Sequence, residues 1–197
     1  MLAHISAAEL KLIAFDEAKE KVLKTLKIVD CLPKWYGICY NWYDIVSLKP
    51  TNGFVSSVDA GNFSVCLLLV SAYFRQKDRS ISDLADKIIN QQELRRLYDE
   101  SKERFFIGFD NGFCGHYDML CSESRMLSFV FMALYGHPEH YYSLNKEYTP
   151  IGGNTLLSWG GTAFEALLSE LFFPSPEHSL LFQTAFNHAF VQSKSKT

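Results

Sequence analysis

The chain has 197 residues, 48% hydrophobic and 15% aromatic, with a formal charge of −3. That length fits one domain or part of one. The mild acidity excludes nucleic acid as a partner, because phosphate binding needs a basic surface and the only basic tail is the short SKSKT end. No signal peptide opens the chain, and no run reaches the roughly 18 apolar residues of a membrane span, so a soluble segment without membrane contact is expected. Five cysteines, Cys31, Cys39, Cys66, Cys114 and Cys121, cannot all pair. Several sit in apolar runs such as VCLLLV and read as small reduced hydrophobes of a cytoplasmic protein.

In chain order, residues 6 to 29 predict a first helix, with Ser6 and Glu9 at capping-box spacing. Residues 30 to 56 form a long aromatic linker broken by Pro33, Gly37, Pro50 and Gly53. Its Trp35, Tyr36, Tyr40, Trp42 and Tyr43 predict that it packs on something. A second helix is expected from Ser56 or Ser57 to Phe74, with Asp59 in its first turn. A third runs from Ser80 or Ser82 to about Tyr98. A β-hairpin follows near residues 104 to 116, where Asp110-Asn111-Gly112 supplies positive-φ residues for a tight turn. His116 to Leu134 predicts a helix, and Glu123 then shares a face with Met119, Leu120, Met126, Leu127 and Val130. A carboxylate on an apolar stripe is costly unless paired, so it either closes a buried polar network or lines a cavity. Later helices are expected at residues 162 to 172, capped by Thr162 with Glu165 three residues on, and at 177 to 192. The class is mostly α, without internal sequence repeats. FVFMAL and LLLVSAYF are apolar on every side and call for neighbours on both faces.

Several chemistries find no support. There is no G-x-S-x-G elbow. Cys114, His116 and Cys121, or His137 and His140, match no metal-ligand spacing, so no metal or cofactor is expected. The glycines of GGN and WGG suit turns better than a phosphate loop. What remains is acids among aromatics: Asp44, Asp59, Asp118, Glu123 and Glu165. Glycoside cleavage draws on that inventory, with one carboxyl protonating the leaving oxygen, a second activating water or attacking, and aromatic faces holding the sugar.

The order of motifs narrows this. YNWYD, then LKP, then FVSSVDAGNF, then IGFDNGFCGHYDMLCSESR, then GGNTLLSWGGTAFEALLSELFFP resembles the glycoamylase-like domain of the cyclic β-1,2-glucan synthase family over about residues 35 to 174. The resemblance implies part of an (α/α)6 toroid of helical hairpins, acting on β-1,2-linked glucan as a hydrolase or transglycosylase. It implies Glu123 as a catalytic carboxylate. It places Tyr117, Asp118 and Arg125 with it on the S-E-A-R helix, Asp59 and Asn62 on the V-D-S-G-N helix, and Trp159 and Glu165 on the S-W-S-G-T segment. Asp59 and Glu165 would bind sugar hydroxyls or orient water. Trp42 and Trp159 are candidate stacking platforms, with a core role equally open for Trp159.

The chain departs from the family pattern in a shorter hairpin insert, in His116 where the family has Tyr, and in Gly160-Gly161 where it has Ser-Gly. A later P-W-G-I-S-E-S segment is not in this sequence. The expectation is therefore a single incomplete domain over residues 1 to 197, the N-terminal half of the toroid, whose uncovered apolar faces favour self-association or a missing C-terminal half. Whether it turns substrate over is left open. The alternatives are a catalytically inactive carbohydrate-binding or scaffold remnant of the same fold, and a helical interaction protein unrelated to sugars.

Overall fold

The computed structural model describes residues 1–150 and 153–194. Ile151 and Gly152 of the predicted glycine loop, and Ser195, Lys196 and Thr197 of the basic tail, lie outside the described residues. Helices dominate, with small antiparallel strand pairs, and the chain divides into two compact units.

The first unit comprises Met1–Leu97 and Gly108–Cys114. The predicted first helix is two: α1 (Leu2–Glu9) and α2 (Phe15–Cys31). Ser6 therefore lies inside α1 rather than capping it, and its carbonyl accepts the Leu10 N–H. No glycine or proline marks the break, because Lys11 takes a left-handed φ of 58°. Helix α3 (Ser57–Phe74) starts where expected, with Ser56 Oγ accepting the Asp59 N–H at 3.2 Å. Helix α4 (Arg79–Asn90) is capped by Asp78, not by Ser80 or Ser82, and ends well before Tyr98. Lys19 sits 2.7 Å from Asp78 and, with Ser80, holds its carboxyl down at about 2. Val22, Leu26, Leu67, Val70, Phe74, Ile81 and Ile88 bury completely between these helices. Each contributes about 1.5–3 kcal/mol relative to exposure. Helix α3 is long and apolar enough to cross a membrane, which the sequence reading did not anticipate, but it is 56% buried within the protein, as a core helix is. Its Leu68 and Leu69 remain partly exposed.

The aromatic linker packs through Trp35, Tyr40 and Tyr43, but Tyr36, Trp42 and residues 44–49 are exposed, and it also holds a hairpin that was not foreseen. Strands β1 (Lys34–Trp35) and β2 (Ile38–Cys39) pair through a two-residue turn, Tyr36 at φ 46° and Gly37 at φ 78°. Both central residues are positive, which matches the right-handed twist of paired strands. Trp35 stacks on Phe109 with centroids 4.9 Å apart. Tyr43 Oη accepts the Tyr40 N–H at 2.9 Å and donates to the Pro33 carbonyl at 2.7 Å. Strand β3 (Val55–Ser56) pairs with Gly108–Phe109.

The second unit comprises Tyr98–Ile107 and the chain from Gly115 onward. Strand β4 (Tyr98–Asp99) pairs with the start of β5 (Arg104–Phe109). The predicted hairpin is present: β5 turns at Asp110–Gly112, with Asn111 at φ 55°, into β6 (Phe113–Tyr117). The helix expected from His116 is not. His116 and Tyr117 belong to β6, bends and a turn follow, and α5 spans only Arg125–Tyr135, ending at Gly136 with φ 68°. Nor is α5 covered all round, since Phe129 is 46% and Leu134 51% exposed. Helix α6 (Glu139–Ser143), the pair β7 (Tyr148–Thr149) and β8 (Thr155–Leu156), α7 (Ala163–Leu167), a 3-10 turn at Leu168–Leu171 and α8 (Leu180–Lys194) complete the unit.

His140 joins three of these pieces and was not read from sequence. Its Nδ1 lies 2.8 Å from the Glu103 carbonyl, which can only accept, so Nδ1 carries the proton. Nε2 then accepts from Ser128 Oγ at 2.7 Å. Burial holds this imidazole below its ordinary range. The folded state therefore disfavours protonation relative to an unfolded histidine near 6.5. Stability is fully present above about pH 6.5 and falls as pH drops through the lowered folded value. The urea midpoint at pH 5.5 is expected below that at pH 7.5, and His140→Gln should shrink the difference. An unchanged difference in that variant would assign the effect elsewhere.

Candidate carbohydrate site

In the first unit, the start of α3 and the linker before it form a hollow of about 310 Å³. Cys39, Tyr40, Asn41, Trp42, Asp59, Ala60 and Phe63 line it. Two residues named from the sequence, Trp42 and Asp59, thus meet there. Asp59 is exposed, and Trp42 is 61% exposed. The Asp59 backbone N–H serves the Ser56 cap, while its carboxylate points to no partner among the described residues. Asn62 follows one turn along α3. The side-chain carbonyl oxygens of Asn41 and Asn62 are buried without a hydrogen-bond partner. An unmet buried acceptor costs about 1–3 kcal/mol. A ligand hydroxyl reaching the Asn41 oxygen would relieve that cost.

In the second unit, Tyr117, Asp118 and Trp159 come together. The Trp159 indole lies parallel to the Tyr117 ring, with centroids 5.1 Å apart and planes 7° from each other. Its Nε1–H donates to Asp118 Oδ1 at 2.8 Å. The other carboxylate oxygen accepts from Asn145 Nδ2 at 3.1 Å, with Arg104 4.0 Å away. Tyr117 is buried, whereas Trp159 stays 48% exposed. The indole is thus fixed by its edge and by one neighbour, not enclosed in a core. Asn145 and Arg104 carry no motif signal and were missed in the sequence. The β-bridge between Met119 and Asn145 brings Asn145 to Asp118, and Arg104, at the start of β5, is held there by the Ser143 carbonyl and the Asn145 side chain.

The remaining residues have other surroundings. Glu123 is not on a helical stripe. It sits in the turn before α5, half-buried, and accepts from Ser122 Oγ at 3.2 Å. Among the described residues no cation pairs with it. A helix start favours a negative side chain, so the placement is not costly in the way the periodicity implied. Glu165 forms the predicted capping box with Thr162, and its carboxylate also accepts the Gly160 N–H at 2.9 Å. Burial works against its charge, but the N–H groups of Thr162 and Gly160 outweigh that and hold its carboxyl below the usual range. Arg125 is tied to Glu170. Beside that pair, an apolar cavity of about 240 Å³ opens between Leu120, Phe129, Met132, Leu144 and Phe173, and Glu123 does not line it.

The fold matches that of a solved glycoside hydrolase. The chain superposes on an endo-β-1,2-glucanase from Chitinophaga pinensis, solved with sophorotriose and glucose, with a TM-score of 0.74 and 15% identity. The match covers 96% of this chain and 52% of that one. In sequence it is similar to the cyclic β-(1,2)-glucan synthase NdvB of Rhizobium meliloti (strain 1021), 35% identical over 77 residues. That stretch is 39% of this chain and 3% of the synthase, so the chain spans a small fraction of that relative and about half of the glucanase. No family model matches. The resemblance to the glycoamylase-like domain of the cyclic β-1,2-glucan synthases, read from the ordered motifs, is borne out by these two likenesses.

Proposed function

We propose that the chain binds β-1,2-linked glucan, as the N-terminal part of a glycoamylase-like domain of hydrolase or transglycosylase type. The observation that carries this reading is the exposed Trp159 indole, held flat by Tyr117 with Asp118 at its edge. An apolar sugar face stacks on such a ring while hydroxyls reach the adjacent carboxylate. Trp42 with Asp59, and Asn62 one turn on, offer a second aromatic–acid set of the same kind. Glu123 is the proposed catalytic carboxylate, because it occupies the family's acidic position and has, among the described residues, one weak hydrogen bond and no ion pair.

The inactive binding remnant stays as a second reading for a specific reason. Glycoside cleavage needs two working carboxyls. In the second unit Glu165 and Glu170 are committed to a helix cap and an ion pair, and Asp118 to Trp159 and Asn145. Titration with β-1,2-linked glucose oligomers, followed by product analysis, separates the readings. Saturable binding with new reducing ends or rings supports an enzyme. Binding without any product supports the remnant. Absence of binding to any β-1,2-glucan would overturn both.

A further inference from the structure

Helix α8 is built with its sides reversed. Toward its own unit it presents Leu181, Thr184, Asn187 and His188. Apart from Leu181, these hold the helix by hydrogen bonds: Thr184 Oγ1 accepts the Leu156 N–H at 3.1 Å, and His188 Nε2 donates to the Leu156 carbonyl at 3.3 Å. Toward solvent it presents Phe182, Phe186 and Phe190, which are 38%, 61% and 50% exposed. Residues four apart share one helix face, so the three rings form a continuous stripe. A surface helix ordinarily turns its apolar side inward. This one turns it outward and pins its polar side to a strand.

We infer that this face docks a second copy of the chain, α8 against α8, antiparallel about a two-fold axis at Phe186. The stripe is symmetric about its middle ring. A two-fold axis there puts Phe186 against the partner's Phe186 and Phe182 against the partner's Phe190, the self-matching arrangement of an isologous interface. Charge agrees with this register. From Leu180 to Ser193 the helix carries no Asp, Glu, Lys or Arg, so nothing on the face repels its copy. The first charge, Lys194, then falls beside the partner's Glu177, which precedes α8 and is exposed. Antiparallel packing also opposes the two helix dipoles. Three half-exposed rings bury roughly 300 Å² per copy, about 600 Å² for the pair, short of the ~1,200 Å² of tight complexes. The dimer is therefore weak and concentration-dependent.

Sedimentation of the 197-residue chain across about 1 to 200 μM tests this, a range suited to an interface of that size. The weight-average mass should climb from one chain toward two. Phe186→Glu should weaken association at least about tenfold, with its fold checked by circular dichroism. Lys194→Glu should also weaken it, and adding Glu177→Lys should restore it. A single-chain mass throughout would overturn the proposal and leave the stripe to a helix of another protein. A dimer equally strong in Phe186→Glu would overturn it as well.

Discussion

Gly37→Ala is expected to destabilise the first unit by about 3 kcal/mol or more. Two independent costs meet at this position. Gly37 has φ 78°, where a side chain other than glycine's costs about 1–2 kcal/mol. A Cβ placed there would also overlap the backbone carbonyl of Gln91 and come within 3.0 Å of the Gln92 nitrogen. Backbone cannot swing aside as the tip of a long side chain does. The segment around Gln91 is held in turn, because the Glu93 N–H donates to the Tyr36 carbonyl at 3.1 Å. Relief would require opening the β1–β2 hairpin, which carries the fully buried Ile38. Urea unfolding of the variant checks this. A loss under about 1 kcal/mol would mean that the hairpin shifts freely against the end of α4.

Arg125→Met is the second large effect, expected at about 3 kcal/mol. The Arg125 and Glu170 side chains are only 13% and 17% exposed. Removing the guanidinium leaves a largely buried carboxylate with Ser175 as its remaining partner, through the Ser175 N–H at 2.7 Å and its hydroxyl at 2.7 Å. Burial alone would raise the Glu170 carboxyl, and the Ser175 and Arg125 hydrogen bonds reverse that. Taking one of them away returns the desolvation cost to the fold. The resemblance implies Arg125 as a substrate group, and its surroundings give it a structural task. The two roles separate by measurement: a drop in unfolding free energy marks the ion pair, whereas unchanged stability with weakened glucan binding marks a ligand contact.

The features legible in the sequence were those set by local chemistry. The Ser56 cap of α3, the Asp-Asn-Gly turn and the Thr162–Glu165 capping box each satisfy backbone groups within a few residues, and each lies where it was expected. The misread stretch was 116 to 134, where tertiary pairing overrides periodicity. Leu120, Met126, Leu127 and Val130 are all buried, as a helical stripe would be, yet the first of them lies in a bend after a strand. Partnership with β5 keeps the chain extended through Tyr117, and no local signal announces it. The β1–β2 turn was hidden for a related reason, since Tyr-Gly is not a usual positive-φ pair and Tyr36 adopts that conformation under the constraint of its packing. Of the site residues, Tyr117, Asp118 and Trp159 were named from motifs, but their stacking and hydrogen bond depend on a contact across more than forty positions in the chain.

The most direct test is calorimetric titration of the chain with a β-1,2-linked glucose trimer, comparing the native protein with Trp159→Ala. Saturable binding that weakens at least about tenfold in the variant, with circular dichroism unchanged, is the predicted result. Undiminished affinity in Trp159→Ala, or no heat of binding in the native chain, would contradict it.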